Sequence, residues 1–407
     1  MKRFLSKEFL TNFAGLSSIN VLGILLPLLT MPFLSRSLGS ESYGVVLLFS
    51  SLLIFMVIII DYSTNINGVR DAAVNMSDKR LLQNIYDKYQ RVRIFFALAF
   101  IPLSLIYCLL YLRVFDTWQY IEVILVSVLG YYLSAPWFHQ GTSTLTFFSI
   151  VSIMTRLLQT IAIFYFVHDE NSAFVAMRLN AYFFLISGFI MSLYRLKRMR
   201  IKESCKISFP LKDLKEGWDT FLGDFSPNLY SNIPPLIIGA LVNPVIFACY
   251  SLAIRMINIA GSFQSIAARA LYPLIVKGTA TFRMLLCINL IMSVIPVAII
   301  IFFGRDLVLL LLGNGYEQSY IYLLICTPSI ILYSILCSFA YGFFLPNRHD
   351  KIFKRISIFS SVIPALIGYP LIHFFDVYGA IFMLVLARAM FAFSYSYFYW
   401  RLNKKLI

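Results

Sequence analysis

The sequence is poor in charged residues and in groups that perform catalysis. Charged residues make up 13% of the 407 positions, against about a quarter in an ordinary soluble domain. The four histidines and six cysteines are scattered, and they form no C-x-x-C pair and no histidine cluster. These shortages argue against a disulfide framework, a metal site or a catalytic centre. We therefore expect a protein that is not an enzyme and that needs no cofactor.

Apolar residues dominate instead. They make up 60% of the chain, and the mean hydropathy is +0.80, which predicts an all-α polytopic membrane protein. A spanning helix needs about 20 apolar residues, and twelve such runs can be marked. The predicted spans are 13–34, 43–61, 94–112, 118–135, 144–167, 173–194, 218–242, 245–269, 282–303, 319–344, 354–375 and 377–400.

The basic residues orient these spans. Of the 34 lysines and arginines, 26 fall in segments that one topology places inside and 3 in outer loops, so both termini are predicted to be cytoplasmic. This asymmetry accounts for the net charge of +15 without a nucleic-acid partner. Eight of the inner residues lie in a linker, 195–217, which divides two predicted six-helix lobes, 1–194 and 218–407.

The two lobes share a faint repeat. Phe13, Gly15, Ser18, Asn20 and Pro27 recur at an offset of 208 residues, so that a proline interrupts the first predicted span of each lobe. Paired interruptions of this kind are typical of transporters with a binding site near the bilayer midplane.

Five arginines lie inside the predicted spans. Arg156, Arg255 and Arg388 fall near the bilayer midplane, whereas Arg178 and Arg269 lie close enough to helix ends to reach the interface. An arginine at the midplane costs at least about 2.5 kcal/mol to insert, so it normally faces water or a partner. We therefore expect the deep arginines to line a central cationic cavity.

Polar residues repeat at helical spacing around these arginines. Residues three and four apart share a helix face, and the eighth span follows this spacing from Ser251 to Arg269. The fifth span and the seventh, from Asp224 to Pro235, carry similar polar faces, whereas the face of the twelfth, from Arg388 to Tyr399, is aromatic. Serine and asparagine could also simply join neighbouring helices. The candidate cavity residues are Arg156, Arg255, Arg388, Asn258, Asn228, Tyr395 and Arg269.

Two acidic residues are candidates for energy coupling. Asp224 begins the polar face of the seventh span, and Asp61 ends the second span. Each could exchange a coupling proton or form a structural ion pair with an arginine. For Asp61 an interfacial charge near a helix end is an equally good explanation.

Several segments together resemble a known family. They are, in order, NVLGILLPLLTMPFLSRSLGSESYG, DYSTNINGVRDAA, APWFHQG, LKEGWDTFLGDFSPNLYSN, YSLAIRM, LYPLIVK and LLLGNGYEQS. Their order and spacing resemble those of bacterial O-antigen repeat-unit flippases, in the polysaccharide-transporter branch of the MATE-like exporter superfamily. One departure is the sequence D-Y-S-T after the second span, where family members commonly have D-Y-G-F.

The resemblance implies a MATE-like fold in the bacterial inner membrane. It also implies a cargo, an oligosaccharide on undecaprenyl pyrophosphate, which moves from the cytoplasmic to the periplasmic leaflet. An O-antigen polymerase and a chain-length regulator are then the expected partners.

Two other functions compete with this interpretation. A MATE-like exporter of cationic drugs would favour carboxylates in its cavity, whereas the deep charges here are mainly arginine. A membrane enzyme of polysaccharide assembly would need a large outer loop or an in-membrane histidine pair, and the sequence indicates neither. We therefore expect a transporter of an anionic cargo.

Overall fold

The structure, a computed structural model, describes residues 7–112, 114–203, 209–276, 278, 280–347 and 349–404. Nearly all of these residues are helical and none lies in a β-strand. The helices are α1 (Lys7–Asp61), α2 (Val69–Val74), α3 (Lys79–Tyr107), α4 (Thr117–Ser134), α5 (Pro136–Gly141), α6 (Leu145–Phe166), α7 (Ala173–Tyr194), α8 (Leu211–Phe225), α9 (Asn228–Ser231), α10 (Pro234–Leu241), α11 (Pro244–Val276), α12 (Phe282–Leu312), α13 (Gln318–Cys326), α14 (Pro328–Phe339) and α15 (Asp350–Lys404). Short π-helical turns cover Thr64–Gly68, Cys108–Leu112, Arg195–Met199 and Ala340–Phe344, and Glu170–Ser172 is a 3₁₀ turn.

The helices have the length of membrane spans. Within the described residues, nine helical stretches are long and apolar enough to cross a membrane. Two helices each hold two predicted spans, because α1 leaves helical geometry at Gly39 (φ 70°) and α15 does so at Asp376 (φ 46°). The all-α membrane fold is confirmed, and the count of twelve spans stays a prediction.

The seventh predicted span is not one helix. α8 begins inside the predicted linker, and helical structure stops on either side of α9, near Pro227 and Pro234. Proline has no N–H to donate and its ring blocks the preceding turn, so it interrupts a helix. The expectation of one continuous polar face from Asp224 to Pro235 is therefore wrong.

The chain forms two compact units, of which the first ends at Asp224 and the second begins at Phe225. The observed border thus lies after Asp224 and not after residue 217. α8 belongs to the first unit because it packs on the turn that follows α1. There the Tyr62 hydroxyl donates to the carbonyl oxygen of Leu214 at 2.8 Å, and the Tyr62 ring stacks on Phe221.

In the first unit, α4 and α7 pack closely. An added Cβ on Gly130 would lie 2.7 Å from the backbone nitrogen of Leu185, and one on Gly188 would overlap the carbonyl oxygen of Gly130. The two glycines therefore allow the backbones of α4 and α7 to touch, as small residues do between membrane helices.

In the second unit, α11, α12, α14 and α15 pack together. A hydrophobic cluster joins α14, α15 and the π-helical turn between them, and it contains Phe339, Phe344, Ile356, Phe391 and Tyr395. This packing holds α15, which carries Arg388, against α14.

Candidate functional site

The polar face of α11 is the best-developed candidate site in the second unit. α11 runs without interruption from Pro244 to Val276, so Arg255 and Asn258 share a face as their spacing predicts. Arg255 is partly exposed and Asn258 is exposed. Neither a hydrogen bond nor an ion pair joins the Arg255 side chain to any residue that the structure describes, so its guanidinium is available to a ligand.

Arg388, on α15, reaches α11 and α14. Its Nη1 donates to the carbonyl oxygen of Ser329 at 3.2 Å and to the Ser329 hydroxyl at 3.1 Å, and its Nη2 donates to Oδ1 of Asn258 at 3.0 Å. The guanidinium also lies over the Tyr333 ring, 4.9 Å from the centroid. Only 5% of Arg388 is exposed. The structure therefore brings Arg388 and Asn258 together. The guanidinium of Arg388 is, however, already bound by side-chain and backbone groups of the protein.

The other candidates in the second unit are placed differently. Arg269 is exposed and lies about two turns from the end of α11. Asn228, the first residue of α9, is partly buried and accepts a hydrogen bond from Nδ2 of Asn232 at 2.7 Å. Tyr395 is 1% exposed inside the aromatic cluster, with its ring 4.9 Å from that of Phe344. The expectation that Tyr395 lines the cavity is wrong, because the aromatic face of α15 forms core.

In the first unit, Arg156 projects from α6 towards α1. Arg156 is exposed, and its Nη1 would lie 3.6 Å from a Cβ added to Gly23. The absence of a side chain at Gly23 leaves room for the guanidinium next to the helix that carries the first predicted span. Arg156 therefore stays a candidate for contact with cargo.

Asp61 lies in a buried ion pair. Its Oδ1 is 3.4 Å from Nε of Arg93, and its Oδ2 accepts hydrogen bonds from Asn65, at 2.7 Å, and from the Tyr131 hydroxyl. Asp61 is 3% exposed and Arg93 is fully buried. The structure thus matches the ion-pair alternative for Asp61 and not that of a charge at the membrane interface.

Arg93 and Arg195 together cap the end of α4, an arrangement that sequence reasoning missed. The last four carbonyl groups of a helix have no partner within it. Arg93 donates to those of Tyr131 (2.9 Å) and Tyr132 (3.0 Å). Arg195 donates to the other two, those of Leu133 and Ser134, the latter at 3.1 Å.

Both arginines fall in segments that the charge asymmetry assigns to the cytoplasm, yet both are fully buried. One signal was present for Arg93, which follows Tyr86, Tyr89 and Gln90 at helical spacing. It was overlooked because α3 begins at Lys79, well before the apolar run at residue 94.

Glu203 completes the contacts of Arg195. Its Oε1 accepts from Arg195 Nη2 and from the Ser192 hydroxyl, both at 2.7 Å, and its Oε2 accepts from the Tyr86 hydroxyl at 2.5 Å. Burial of the carboxyl favours its neutral form, but the Arg195 charge and the hydrogen bonds outweigh burial. The pKa of Glu203 therefore lies below its ordinary value.

Asp224, the second coupling candidate, is exposed near the end of α8 and is the last residue of the first unit. Within the described chain, no group of three or more histidine, cysteine, aspartate or glutamate residues could hold a metal ion. The side chains of Arg255, Asn258 and Arg388 instead supply guanidinium and amide donors, which suit an anionic ligand.

Comparison with known proteins agrees with this chemistry. The family described as "Polysaccharide biosynthesis protein" matches residues 9–279. The chain belongs to this family. Its membership confirms the resemblance that the sequence motifs predicted.

One relative of the chain is a protein of Escherichia coli (strain K12) named "Putative O-antigen transporter". It is 24% identical over 398 residues, which cover 94% of each chain. Its name describes a transporter, as the sequence analysis expected, and not an enzyme.

Solved structures with the same fold include two transporters. The first is titled lipid II flippase MurJ in an inward closed conformation, with a TM-score of 0.72, 12% identity and coverage of 95% of this chain and 86% of that one. The second is titled a multidrug resistance MATE family transporter of the MOP superfamily, with a TM-score of 0.65, 16% identity and coverage of 99% and 96%. These similarities confirm the MATE-like fold.

Proposed function

We propose that the chain flips undecaprenyl-pyrophosphate-linked O-antigen repeat units across the bacterial inner membrane by alternating access. The cargo moves from the cytoplasmic to the periplasmic leaflet, both termini are cytoplasmic, and an O-antigen polymerase and a chain-length regulator are partners. The observation that supports this most strongly is the match to the relative named an O-antigen transporter over 94% of both chains.

The side chains fit the charge of such a cargo. A pyrophosphate-linked sugar is anionic, and a guanidinium binds phosphate oxygens through paired hydrogen bonds. Arg255 suits this role because it is partly exposed beside Asn258. Arg156, exposed on α6, is a second candidate. The polyprenyl tail can remain in lipid, so the protein has to shield only the polar head.

Complementation tests this function. Arg156→Ala and Arg255→Ala, expressed in a strain that lacks its own flippase, should reduce the O-antigen ladder on gels without loss of protein from the membrane. Lysine at either position should restore part of the ladder, because it keeps the positive charge but cannot donate the paired hydrogen bonds of a guanidinium. Arg178→Ala is the matched control, since Arg178 forms a half-exposed pair with Glu122. Normal O-antigen ladders from both alanine variants would refute the proposal that Arg156 and Arg255 contact the cargo.

An exporter of cationic drugs is the alternative with the same fold. A cationic cargo would need carboxylates in its path, and Asp61 and Glu122 do not offer one, because Asp61 is paired with Arg93 and Glu122 with Arg178. Drug efflux from reconstituted vesicles in the absence of lipid-linked oligosaccharide transport would favour the exporter.

We also propose that Asp224 couples transport to a proton gradient. A carboxylate that is protonated in one conformation and charged in the other lets a gradient bias the two states. Asp224→Asn should abolish gradient-driven transport in vesicles while cargo binding is retained. Asp219→Asn, also in α8 and exposed, is the control. Full gradient-driven transport by Asp224→Asn would refute the coupling role.

A further inference from the structure

The side-chain amide of Asn258 can adopt only one orientation. Its Oδ1 accepts from Nη2 of Arg388 at 3.0 Å. A guanidinium donates hydrogen bonds and does not accept them, so the amide oxygen must face Arg388. The Nδ2 group, with its two donors, then points away from Arg388. Because Asn258 is exposed while Arg388 is buried, these donors are on the accessible side of the pair.

Arg388 is itself held on several sides. Ser329 accepts two hydrogen bonds from its Nη1, and Tyr333 lies against the guanidinium. Gly261 allows the Tyr333 ring to approach α11, because a Cβ there would lie only 3.2 Å from the ring. Arg388 therefore has little freedom to turn towards a ligand, and its contact with Asn258 is fixed by the packing of the second unit.

Arg255 lies beside the oriented amide. It precedes Asn258 by three residues on an uninterrupted helix, a spacing that puts Cβ atoms about 5–6 Å apart. Its side chain is partly exposed and hydrogen-bonded to no other described residue. The charged guanidinium of Arg255 and the neutral Nδ2 group of Asn258 thus lie on the same face of α11.

We infer that Arg255 and the Asn258 amide form a donor subsite for the oxygen atoms of a phosphate-linked sugar, and that Arg388 is a positioning residue acting through Asn258. This inference rests on the proposed function and deepens it. Arg255 binds the charged phosphate oxygens, and Nδ2 of Asn258 donates to an adjacent phosphate or sugar oxygen. Arg388 contributes by fixing which end of the amide meets the cargo.

Equilibrium binding of undecaprenyl pyrophosphate to the purified chain in lipid nanodiscs tests the subsite. Asn258→Ala should weaken binding about tenfold, the effect expected for a lost hydrogen bond to a charged group. Asn258→Asp keeps an acceptor for Arg388 but has no donor for the cargo, so it should weaken binding at least as much. Asn314→Asp, in an exposed turn after α12, controls for the added charge.

A double-mutant cycle tests the role of Arg388. Arg388→Ala should weaken binding in the wild-type background and have little further effect when combined with Asn258→Ala. Equal weakening in both backgrounds would show that Arg388 binds the cargo directly and would overturn the positioning role. If Arg388→Ala fails to fold, Asn258→Asp still decides, because wild-type affinity in that variant would overturn the subsite.

The same assay separates this inference from the proposed function. A wild-type chain that binds undecaprenyl pyrophosphate no better than undecaprenol would refute the proposed function. A wild-type chain that binds it well, with Asn258 variants of equal affinity, would refute only the subsite.

Discussion

Arg93, Arg195 and Arg388 are buried, and each donates hydrogen bonds to backbone carbonyl oxygens of another helix. A buried guanidinium is stable only where its donors are satisfied. Arg93 and Arg195 find acceptors at the end of α4, where the carbonyls lack helical partners, and the negative end of the helix dipole also favours positive charge there. These two residues are therefore expected to stabilise the fold and not to contact cargo.

Replacement of Arg93 by alanine tests this role. Arg93→Ala would leave Asp61 buried without its cation, and it would remove one of the donors to each of the Tyr131 and Tyr132 carbonyls. We expect the free energy of unfolding to fall by about 3–5 kcal/mol. Arg178→Ala removes the half-exposed pair with Glu122 and should cost no more than about 1 kcal/mol. Thermal unfolding in detergent measures both, and equal losses would contradict the assigned role of Arg93.

The pKa of Glu203 predicts a dependence of stability on pH. Its pKa is lower in the folded chain than in the unfolded chain, so the unfolded state binds a proton more readily. The stabilisation is thus complete above the unfolded pKa and is lost as the pH falls through the folded pKa. We expect the melting temperature to drop below about pH 4 in the wild-type chain and less steeply in Glu203→Gln. If the melting temperatures of the wild-type chain and of Glu203→Gln fell equally with pH, the prediction would be contradicted.

The depth of Arg255 and Arg388 could be predicted from sequence, because the rise per residue of a helix is constant. Their surroundings could not be predicted in the same way. Arg255 and Arg388 are both predicted to lie near the midplane, but in the structure only Arg388 contacts Ser329 and Asn258. That difference depends on which helices are neighbours in space, and the spacing along one helix contains no information about it.

At the scale of helices, the crossing of α4 and α7 depends on Gly130 and Gly188. The backbones touch at this point, so the crossing has no space for a methyl group. Overpacking of this kind typically costs about 1–3 kcal/mol, because the two helices must move apart.

Gly188→Ala should therefore lower the melting temperature and the yield of folded protein. Gly223→Ala is the matched control, since nothing lies within 4 Å of a Cβ added to Gly223. Alanine also has the higher helix propensity, so this control should be neutral or slightly stabilising. A normal melting temperature for Gly188→Ala would mean that the two helices are not in backbone contact.

Most helices could be predicted from apolar runs, but α8 to α10 could not. The hydropathy of residues 218–242 suits a span, and sequence pattern alone does not say whether Pro227 and Pro234 kink one helix or divide it. The structure divides it. Packing of α8 on Tyr62 explains why residues up to Asp224 belong to the first unit, and this long-range contact has no signature in the local sequence.

At the scale of the whole molecule, the charge asymmetry predicts the orientation in the membrane. Reporter fusions at Lys79 and Lys351, near the starts of α3 and α15, should report the cytoplasm. Fusions at Asp116, Asp169 and Glu317 should report the periplasm, because they precede α4, α7 and α13 in predicted outer loops. Two or more reversed reporters would contradict the predicted topology.

The capping of α4 also constrains the order in which the chain can mature during synthesis. Arg93 precedes α4, but Arg195 is made some sixty residues after Ser134, the last residue of α4. Two of the last four carbonyl groups of α4, those of Leu133 and Ser134, therefore lack their Arg195 donor while α6 and α7 are being inserted. Burial of this end can be completed only after α7 has been made, so the first unit acquires its final packing late in its own biogenesis.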